Sequence, residues 1–250
     1  IKYDCDDTNP NISPAPGKGC VLNCPTGNIL YVKGDATGTN DGSSWANAFT
    51  NLQDALLQAC PTITQIWVAK GTYYPDQGVG KTNNNRNAAF VMKNGLAIYG
   101  GFAGTETSLN QRNWKTNATI LSGDIDQNDD AGFTNNTGNS YHVIFNNGFS
   151  TTIDFFDPVT LATTSITTTT YQLDNSALLD GFTIRAGNAN YTGSDPSIQK
   201  NGAGMLNRSV APVISNCMFT ANTTSYKGGG VSNEEEAHTN FNNCIFLQNS

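Results

Sequence analysis

Hydrophobic residues along most of this chain fall in short runs that polar and glycine-rich segments separate. The first run is residues 28–34 (NILYVKG). Five later runs have the same character: they are rich in β-branched or aromatic residues and are closed by Gly, Asn or Pro, as strands between tight turns are. These runs lie at 65–75, 88–102, 118–124, 141–146 and 176–187. The pattern therefore predicts an all-β chain.

One segment has helical spacing instead. In residues 44–60, apolar side chains recur every three or four positions, which places them on one face of a helix. The residues of that face are Trp45, Phe49, Leu52 and Leu56. Ser43 or Ser44 precedes them and would supply the N-cap. The spacing predicts one amphipathic helix over 44–60.

The clearest periodicity lies near the C-terminal end of the sequence. Residues 216–222 read NCMFTAN and residues 243–249 read NCIFLQN, 27 positions later. Glycine-rich segments precede both copies, GAGMLN at 202–207 and GGGVSN at 228–233. A fixed period of this length indicates stacked supersecondary units. Because these units lack helical spacing, we expect three short strands per unit, each paired in parallel with its equivalent one unit away.

Such a stack places equivalent residues about 4.8 Å apart along its axis. We therefore expect Asn216 over Asn243 and Asn222 over Asn249, at bends where Asn tolerates a left-handed backbone and where amides can hydrogen-bond in ladders. The predicted interior residues are Val213, Ile214, Met218, Phe219, Ile245 and Phe246. The helix at 44–60 would cover the open first unit, since an exposed strand edge invites aggregation.

These motifs resemble known repeats. GAGM/FTAN and GGGV/FLQN are similar to the GGA-[ILV] and FxxN repeat of chlamydial polymorphic outer-membrane proteins. Upstream, YVKGDATGTNDGSSWANAFTNLQDAL, IWVAKGTYYP, LAIYGGFAGTETSLNQRNW, ILSGDIDQNDD and LLDGFTIRAGNAN resemble the start of pectin-lyase-like β-helix proteins that Bacteroidota secrete or display. The resemblance covers residues 28–250 apart from 149–173, and it implies a right-handed parallel β-helix. This fold carries lyases, hydrolases, adhesins and stalks, so it implies no single activity.

The N-terminal segment, residues 1–27, has too few apolar residues to hold itself in place. Disulfides among Cys5, Cys20, Cys24 and Cys60 are the natural constraint and indicate an oxidising compartment. We favour Cys5–Cys20 and Cys24–Cys60 among the three possible pairings. A zinc site is the alternative, although no histidine lies nearby.

Two further segments divide the β-helix expected over residues 28–250. Residues 149–173 are Thr-rich and predict a projecting hairpin or loop, whereas residues 202–250 hold the clean repeats. Cys217 and Cys244 fall at equivalent positions, and we favour two free buried thiols over a disulfide. Because the sequence stops inside a repeat, we expect the natural protein to continue or another chain to cover this end.

Composition narrows the function classes. Charged residues make up 13% of the chain, and the net charge is −7, without a basic patch, which argues against nucleic acid as a partner. No apolar run approaches the 18 or so residues of a membrane span, so no membrane insertion is expected in this segment. With the expected disulfides, this favours a secreted, extracellular protein associated with the cell surface.

The acidic segment GDIDQNDD, residues 123–130, is the best candidate metal site. Its alternating oxygen-bearing residues are Asp124, Asp126, Asn128 and Asp130, a pattern typical of calcium loops. The segment departs from an EF-hand because Asp129 takes the place of glycine and Asn135 the place of the last glutamate. The alternative is an acidic, solvated turn without a metal.

No catalytic residue is predicted. A β-helix lyase needs a basic residue beside its calcium carboxylates, and none is evident near the acidic segment; His142 and His238 are isolated. The leading interpretation is a structural or adhesive surface protein that assembles end to end with copies of itself or with other surface proteins. The alternatives are a calcium-dependent polysaccharide lyase or glycoside hydrolase, and a carbohydrate-binding module without turnover.

Overall fold

The computed structural model describes residues 25–193 and 198–250, except residues 131, 133, 158–161 and 172. Before residue 25 it describes the backbone of two strands, and over 149–171 it describes backbone alone. The fold is all-β, with parallel sheets and few helical residues, as the sequence predicts. Within the described residues, no helix is long and apolar enough to cross a membrane.

The strands of the first half are β1 (Ile12–Pro14), β2 (Cys20–Leu22), β3 (Ile29–Val32), β4 (Gln65–Ala69), β5 (Gly71–Tyr73), β6 (Ala97–Phe102), β7 (Thr119–Ser122), β8 (Ile144–Asn147), β9 (Phe149–Asp157) and β10 (Ala162–Tyr171). Those of the second half are β11 (Leu178–Asp180), β12 (Thr183–Arg185), β13 (Asn188–Ala189), β14 (Met205–Arg208), β15 (Val213–Ser215), β16 (Met218–Thr220), β17 (Thr223–Thr224), β18 (Val231–Glu234), β19 (Asn240–Asn242) and β20 (Ile245–Leu247). The helical elements are α1 (Leu52–Gln58) and three 3₁₀ turns, Leu109–Gln111, Asn136–Gly138 and Ile198–Lys200.

Most strands belong to three parallel sheets. The first has the order β19-β15-β11-β6-β4-β3, the second β20-β16-β12-β7-β5 and the third β18-β14-β8. Near the end of the chain, each circuit adds one strand to each of the three sheets, and we call such a circuit a rung. The last three rungs are β8–β11–β12, β14–β15–β16 and β18–β19–β20, and their strands pair in parallel from rung to rung.

The core lies between the sheets and runs along the stack. In the first sheet, a column of paired aliphatic residues extends over five strands, and each residue is at most 3% exposed. The members of this column are Leu30, Ile66, Ile98, Leu179 and Ile214. Burying each such side chain stabilises the fold by about 1.5–3 kcal/mol.

Strand alternation corrects part of the predicted interior. Ile214 and Phe219 are fully buried, as predicted. Val213 and Met218 are only half-buried, because successive side chains of a strand point to opposite faces and these two flank inward residues. Ile245 pairs with Met218, points outward like it, and is 58% exposed. Phe246 pairs with the buried Phe219 but is 51% exposed, because its strand is the last of the second sheet.

The helix is shorter than the predicted 44–60. It begins at Leu52 after Asn51, because Ser43 and Ser44 form turns instead: the Ser43 amide donates to Asp41 (2.9 Å), and Ser44 Oγ accepts from the Asn47 amide (3.2 Å). Its buried residues include Leu52 and Leu56, which join the core.

Two aromatic residues predicted for the helix precede it. Phe49 is in the core cluster, and its amide donates to the Tyr31 carbonyl (2.9 Å) on β3. Trp45 instead packs against the rings of Tyr31 (4.8 Å) and Phe102 (5.4 Å). Phe49 and α1 thus pack against β3, and the prediction that Trp45 and Phe49 belong to the helix was wrong.

The N-terminal segment contains an antiparallel pair, β1 with β2. Cys5 and Cys24 lie outside the described residues, as does the side chain of Cys20, so the favoured pairing stays a prediction. Cys60 is 4% exposed and disulfide-bonded. The Thr-rich segment forms an antiparallel hairpin of β9 and β10 between the third-sheet and first-sheet strands of one rung.

Identical side chains stack in the last rungs. The rings of Phe219 and Phe246 lie parallel, with centroids 5.0 Å apart. Asn243 Nδ2 donates to Asn216 Oδ1 (2.7 Å), and Asn222 Nδ2 donates to the Oδ1 atom of the asparagine one rung on, Asn249 (2.9 Å). The two predicted amide ladders are therefore confirmed.

A third ladder follows strands β8, β14 and β18. Asn146 Nδ2 donates to Asn207 Oδ1 (2.8 Å), and Asn207 Nδ2 donates to Asn233 Oδ1 (3.0 Å). The sequence pattern missed it, because Asn146 belongs to a rung whose neighbouring residues do not repeat. Cys217 and Cys244 are free thiols, and burial raises the pKa of Cys217 to about 12.

Candidate functional site

The acidic segment lies in the loop between β7 and β8, on the outer face of the second sheet. Ser122 at the end of β7 pairs with Arg185 in the next rung, and Leu121 pairs with Tyr73 in the preceding strand. Tyr74 and Arg185 therefore flank the start of the loop from opposite sides. Parallel stacking collects on one face residues that are far apart in sequence.

Two of the four predicted calcium ligands act as turn formers. Asp124 Oδ1 accepts from the backbone amides of Asn128 (3.0 Å) and Asp129 (3.4 Å). Asp130 Oδ1 accepts from the amides of Gly132 (2.9 Å) and Thr134 (3.1 Å), and its other oxygen accepts from the Thr134 hydroxyl. These carboxylates hold the loop in shape through hydrogen bonds within it.

The other two predicted ligands contact each other. Asn128 Nδ2 donates to Asp126 Oδ2 (2.8 Å), so the Asn128 side chain takes part as a donor. Across the described part of the chain, no group of three or more His, Cys, Asp or Glu side chains is placed to hold a metal ion. The structure therefore does not gather the predicted set around one point.

Asp129, which the predicted ligand set leaves out, is a carboxylate of the loop whose pKa is raised. Burial raises its pKa, and the neighbouring charges of Asp124 and Asp126 raise it further, while a hydrogen bond from Asn139 opposes these effects. In that bond Asn139 Nδ2 donates to Asp129 Oδ2 over 2.9 Å. Three carboxylates thus repel one another within this loop.

Two arginines bring positive charge to the loop, contrary to the expectation that no basic residue lies near it. Arg185 in the next rung interacts electrostatically with Asp129 and with Tyr74. Burial raises the pKa of Tyr74, and the charge of Asp124 adds to this effect.

The second arginine, Arg86, comes from a loop far away in sequence. Its guanidinium lies 4.1 Å from the centre of the Tyr141 ring. It donates to the carbonyl oxygens of Asn139 (2.6 Å) and Asn188 (3.0 Å) and to the side chain of Asn190 (2.7 Å). No local motif marks this residue, so sequence reasoning missed it; its contacts make it a clamp between two rungs.

The histidines and Tyr73 take no part in this face. His142 is 5% exposed, and burial lowers its pKa to about 4, so the ring is neutral at pH 7. Its Nδ1 lies 3.1 Å from the Gly202 carbonyl oxygen and donates to it. His238 is exposed. The Tyr73 hydroxyl is buried and donates to the Ala69 carbonyl (3.0 Å).

The last rung is the second candidate surface. Ile245, Phe246 and Leu247 of β20 are each more than half exposed, and β18, β19 and β20 each pair on one side only. A cavity of about 500 Å³ opens there. Its lining residues include Gly230, Val231, Phe241, Phe246 and Asn249. This surface offers apolar side chains together with unpaired strand edges.

Comparisons with known proteins leave the family open. The chain matches no family model, no curated protein and no solved structure. The resemblance to pectin-lyase-like proteins stays an expectation, and the functional proposals rest on the geometry of the acidic loop and of the stacked rungs.

Proposed function

We propose that this chain is a right-handed parallel β-helix that serves as a structural and adhesive element of a secreted, surface-associated protein. The observation that carries the proposal is the regular stacking of the last three rungs. Their backbones pair in parallel, and asparagine side chains at equivalent positions hydrogen-bond from one rung to the next. Each rung makes the same contacts with the next, so the fold extends along one axis without a new core for each unit.

Secretion is the second part of the proposal. We take Cys5–Cys20 and Cys24–Cys60 as the disulfides that fasten the N-terminal segment, supported by the disulfide-bonded state of Cys60. Such bonds persist in oxidising compartments. Peptide mapping without reductant identifies the partner of Cys60, and a partner other than Cys24 contradicts this pairing.

End-to-end assembly is the third part, and the last rung supports it. Its unpaired strand edges and exposed apolar residues fit another rung of the same pattern, supplied by further residues of the same protein, by a copy of the chain or by another surface protein. Light scattering should show association that increases with concentration and that Phe246→Glu abolishes.

Adhesion without turnover is tested on a panel of pectate, alginate and neutral polysaccharides. We expect beads that carry the chain to bind at least one of these polysaccharides. We expect no cleavage product of any polysaccharide to form. Formation of unsaturated uronate that a chelator stops would replace the structural role with catalysis.

A calcium-dependent polysaccharide lyase is the second candidate. This candidate is favoured by the position of Arg185 near the carboxylates of the acidic loop. A lyase of this kind needs a basic residue beside the carboxylates that bind calcium. In the same assay, Arg185→Ala would abolish product formation without lowering the melting temperature. Lys115→Ala, at an exposed residue outside this loop, is the matched control.

A further inference from the structure

Among the described residues, three side-chain oxygens of the acidic loop region have no hydrogen-bond partner, and they have almost no contact with solvent. They are Oδ1 of Asp126, Oδ1 of Asp129 and Oδ1 of Asn139. All three are acceptors, so none can satisfy another. A buried acceptor without a partner destabilises the fold because it has lost its hydrogen bonds to water, and the cost is larger when the acceptor carries charge.

The orientation of Asn139 is fixed by its own contacts. The residue is fully buried, and its Nδ2 donates to Asp129 Oδ2 (2.9 Å) and to the Ala186 carbonyl (2.8 Å). Exchanging the amide oxygen and nitrogen would place the oxygen against these two acceptors. The Oδ1 atom therefore stays unpaired, and it belongs to the amide group whose Nδ2 donates to the Asp129 carboxylate.

Asp126 lies against the residue that precedes Asn139. Its carboxylate packs so closely against Gly138 that a Cβ atom there would overlap with it, and Gly138 directly precedes Asn139. The loop thus holds two carboxylates against consecutive residues, one against the Gly138 backbone and one against the Asn139 amide. Each carboxylate retains one unpaired oxygen.

We propose that this loop binds one calcium ion through Oδ1 of Asp126, Oδ1 of Asp129 and Oδ1 of Asn139. Carboxylate and amide oxygens are the donors that calcium prefers, and calcium tolerates irregular geometry. The ion gives the three acceptors a common partner and reduces the repulsion that Asp124 and Asp126 exert on Asp129. It thereby ties the loop to Asn139, whose backbone carbonyl Arg86 also holds.

This site goes beyond the proposed function and differs from the ligand set predicted from sequence. Both sets contain Asp126. The proposed set has Asn139 and Asp129 as its other ligands and does not include Asn128. Asp124 and Asp130 are also not ligands, because they hydrogen-bond within their own turns. Its role is to stabilise the loop, and it does not depend on whether the chain acts on polysaccharide.

The test uses the 250-residue chain freed of metal by EDTA and dialysis. We expect calorimetric titration with CaCl₂ to give one equivalent per chain and calcium to raise the melting temperature, with a weaker effect of MgCl₂. Asp129→Asn should weaken calcium binding roughly tenfold or more, since affinity follows the number of charged ligands. Asp130→Asn is the matched control, and it should bind as the unmodified chain does, because that carboxylate is occupied within its turn.

A second readout separates metal binding from damage to the fold. In EDTA, Asp129→Asn should melt no lower than the unmodified chain, because it removes a charge that its neighbours repel; in calcium, it should melt lower. Asp126→Asn should behave in the same way and serves if Asp129→Asn does not fold. No calcium-dependent melting shift at millimolar calcium, or an equal loss of affinity in Asp130→Asn, would overturn the proposal.

Discussion

The first and last parts of the stack reach the same burial by different means. Around the first strands, unlike rings interlock: Trp67 stacks on Phe102 with centroids 4.7 Å apart, and Tyr31 meets both Trp45 and Trp67 edge-on. In the last rungs, a phenylalanine stacks on a phenylalanine and asparagines bond to asparagines. The same parallel pairing thus accepts repeated or unrepeated side chains.

Two buried phenylalanines allow the effect of burial on stability to be separated from the effect of stacking identical side chains. Phe102 in the first part and Phe219 in the last part are both fully buried, although only Phe219 has a copy of itself above it. If burial rather than likeness stabilises the stack, the two positions should be equally sensitive to truncation.

The largest expected effect tests this equality. Phe102→Ala and Phe219→Ala should each lower the free energy of unfolding by about 3–5 kcal/mol, because each leaves a cavity in a packed core. Urea denaturation followed by circular dichroism measures the change. Phe246→Ala, at a ring that is 51% exposed, is the control and should cost much less. A markedly larger loss at Phe219 than at Phe102 would mean that stacking of like rings adds stability of its own.

A smaller effect is expected from the third asparagine ladder. Asn207→Ala should cost about 1–3 kcal/mol, because Asn146 loses its acceptor in a buried setting. Asn233→Ala removes an exposed member of the same ladder and should cost clearly less. Equal losses in urea denaturation would show that the ladder acts as a unit whose members cannot be separated.

The smallest effect concerns the bends. Asn216 has a left-handed backbone (φ 52°), whereas Asn222 does not. Asn216→Gly should therefore be more stable than Asn216→Ala by about 1 kcal/mol, since both lose the ladder but only Ala meets the steric penalty. Thermal melts of the two pairs of variants measure the difference. At residue 222, Gly should have no such advantage over Ala.

The sequence predicted the features that depend on pairing between repeats. The 27-residue period was enough to place Asn216 on Asn243 and Phe219 on Phe246, because parallel strands align equivalent positions. It did not predict that α1 begins at Leu52, since the turns before it depend on side-chain contacts such as that of Asp41 with Ser43.

The candidate site was predictable in position and only partly in composition. The acidic run 123–130 identified the loop, but alternation along the sequence assigned ligand roles to Asp124 and Asp130, which hydrogen-bond within their own turns. Asn139 lies further along the same β7–β8 connection, beyond the acidic run, and Arg86 reaches the Asn139 carbonyl from a preceding loop. Local spacing contains no information about such partners.

The asparagine ladders also have a direction. Asn216 must donate to Asp180, a carboxylate held by Arg112 (2.8 Å), and this obliges Asn243 to donate to Asn216 in turn. The ladder that starts at Asn146 runs in the opposite sense, because the Met92 amide donates to Asn146 Oδ1 and leaves its nitrogen to donate onward. The hydrogen bonds of the first amide thus determine its orientation, and that orientation determines the orientation of each following amide along the axis. A reversed amide in the next rung would place donor against donor in the ladder that starts at Asn146, and acceptor against acceptor in the Asn216 ladder. Such a rung would lose these hydrogen bonds.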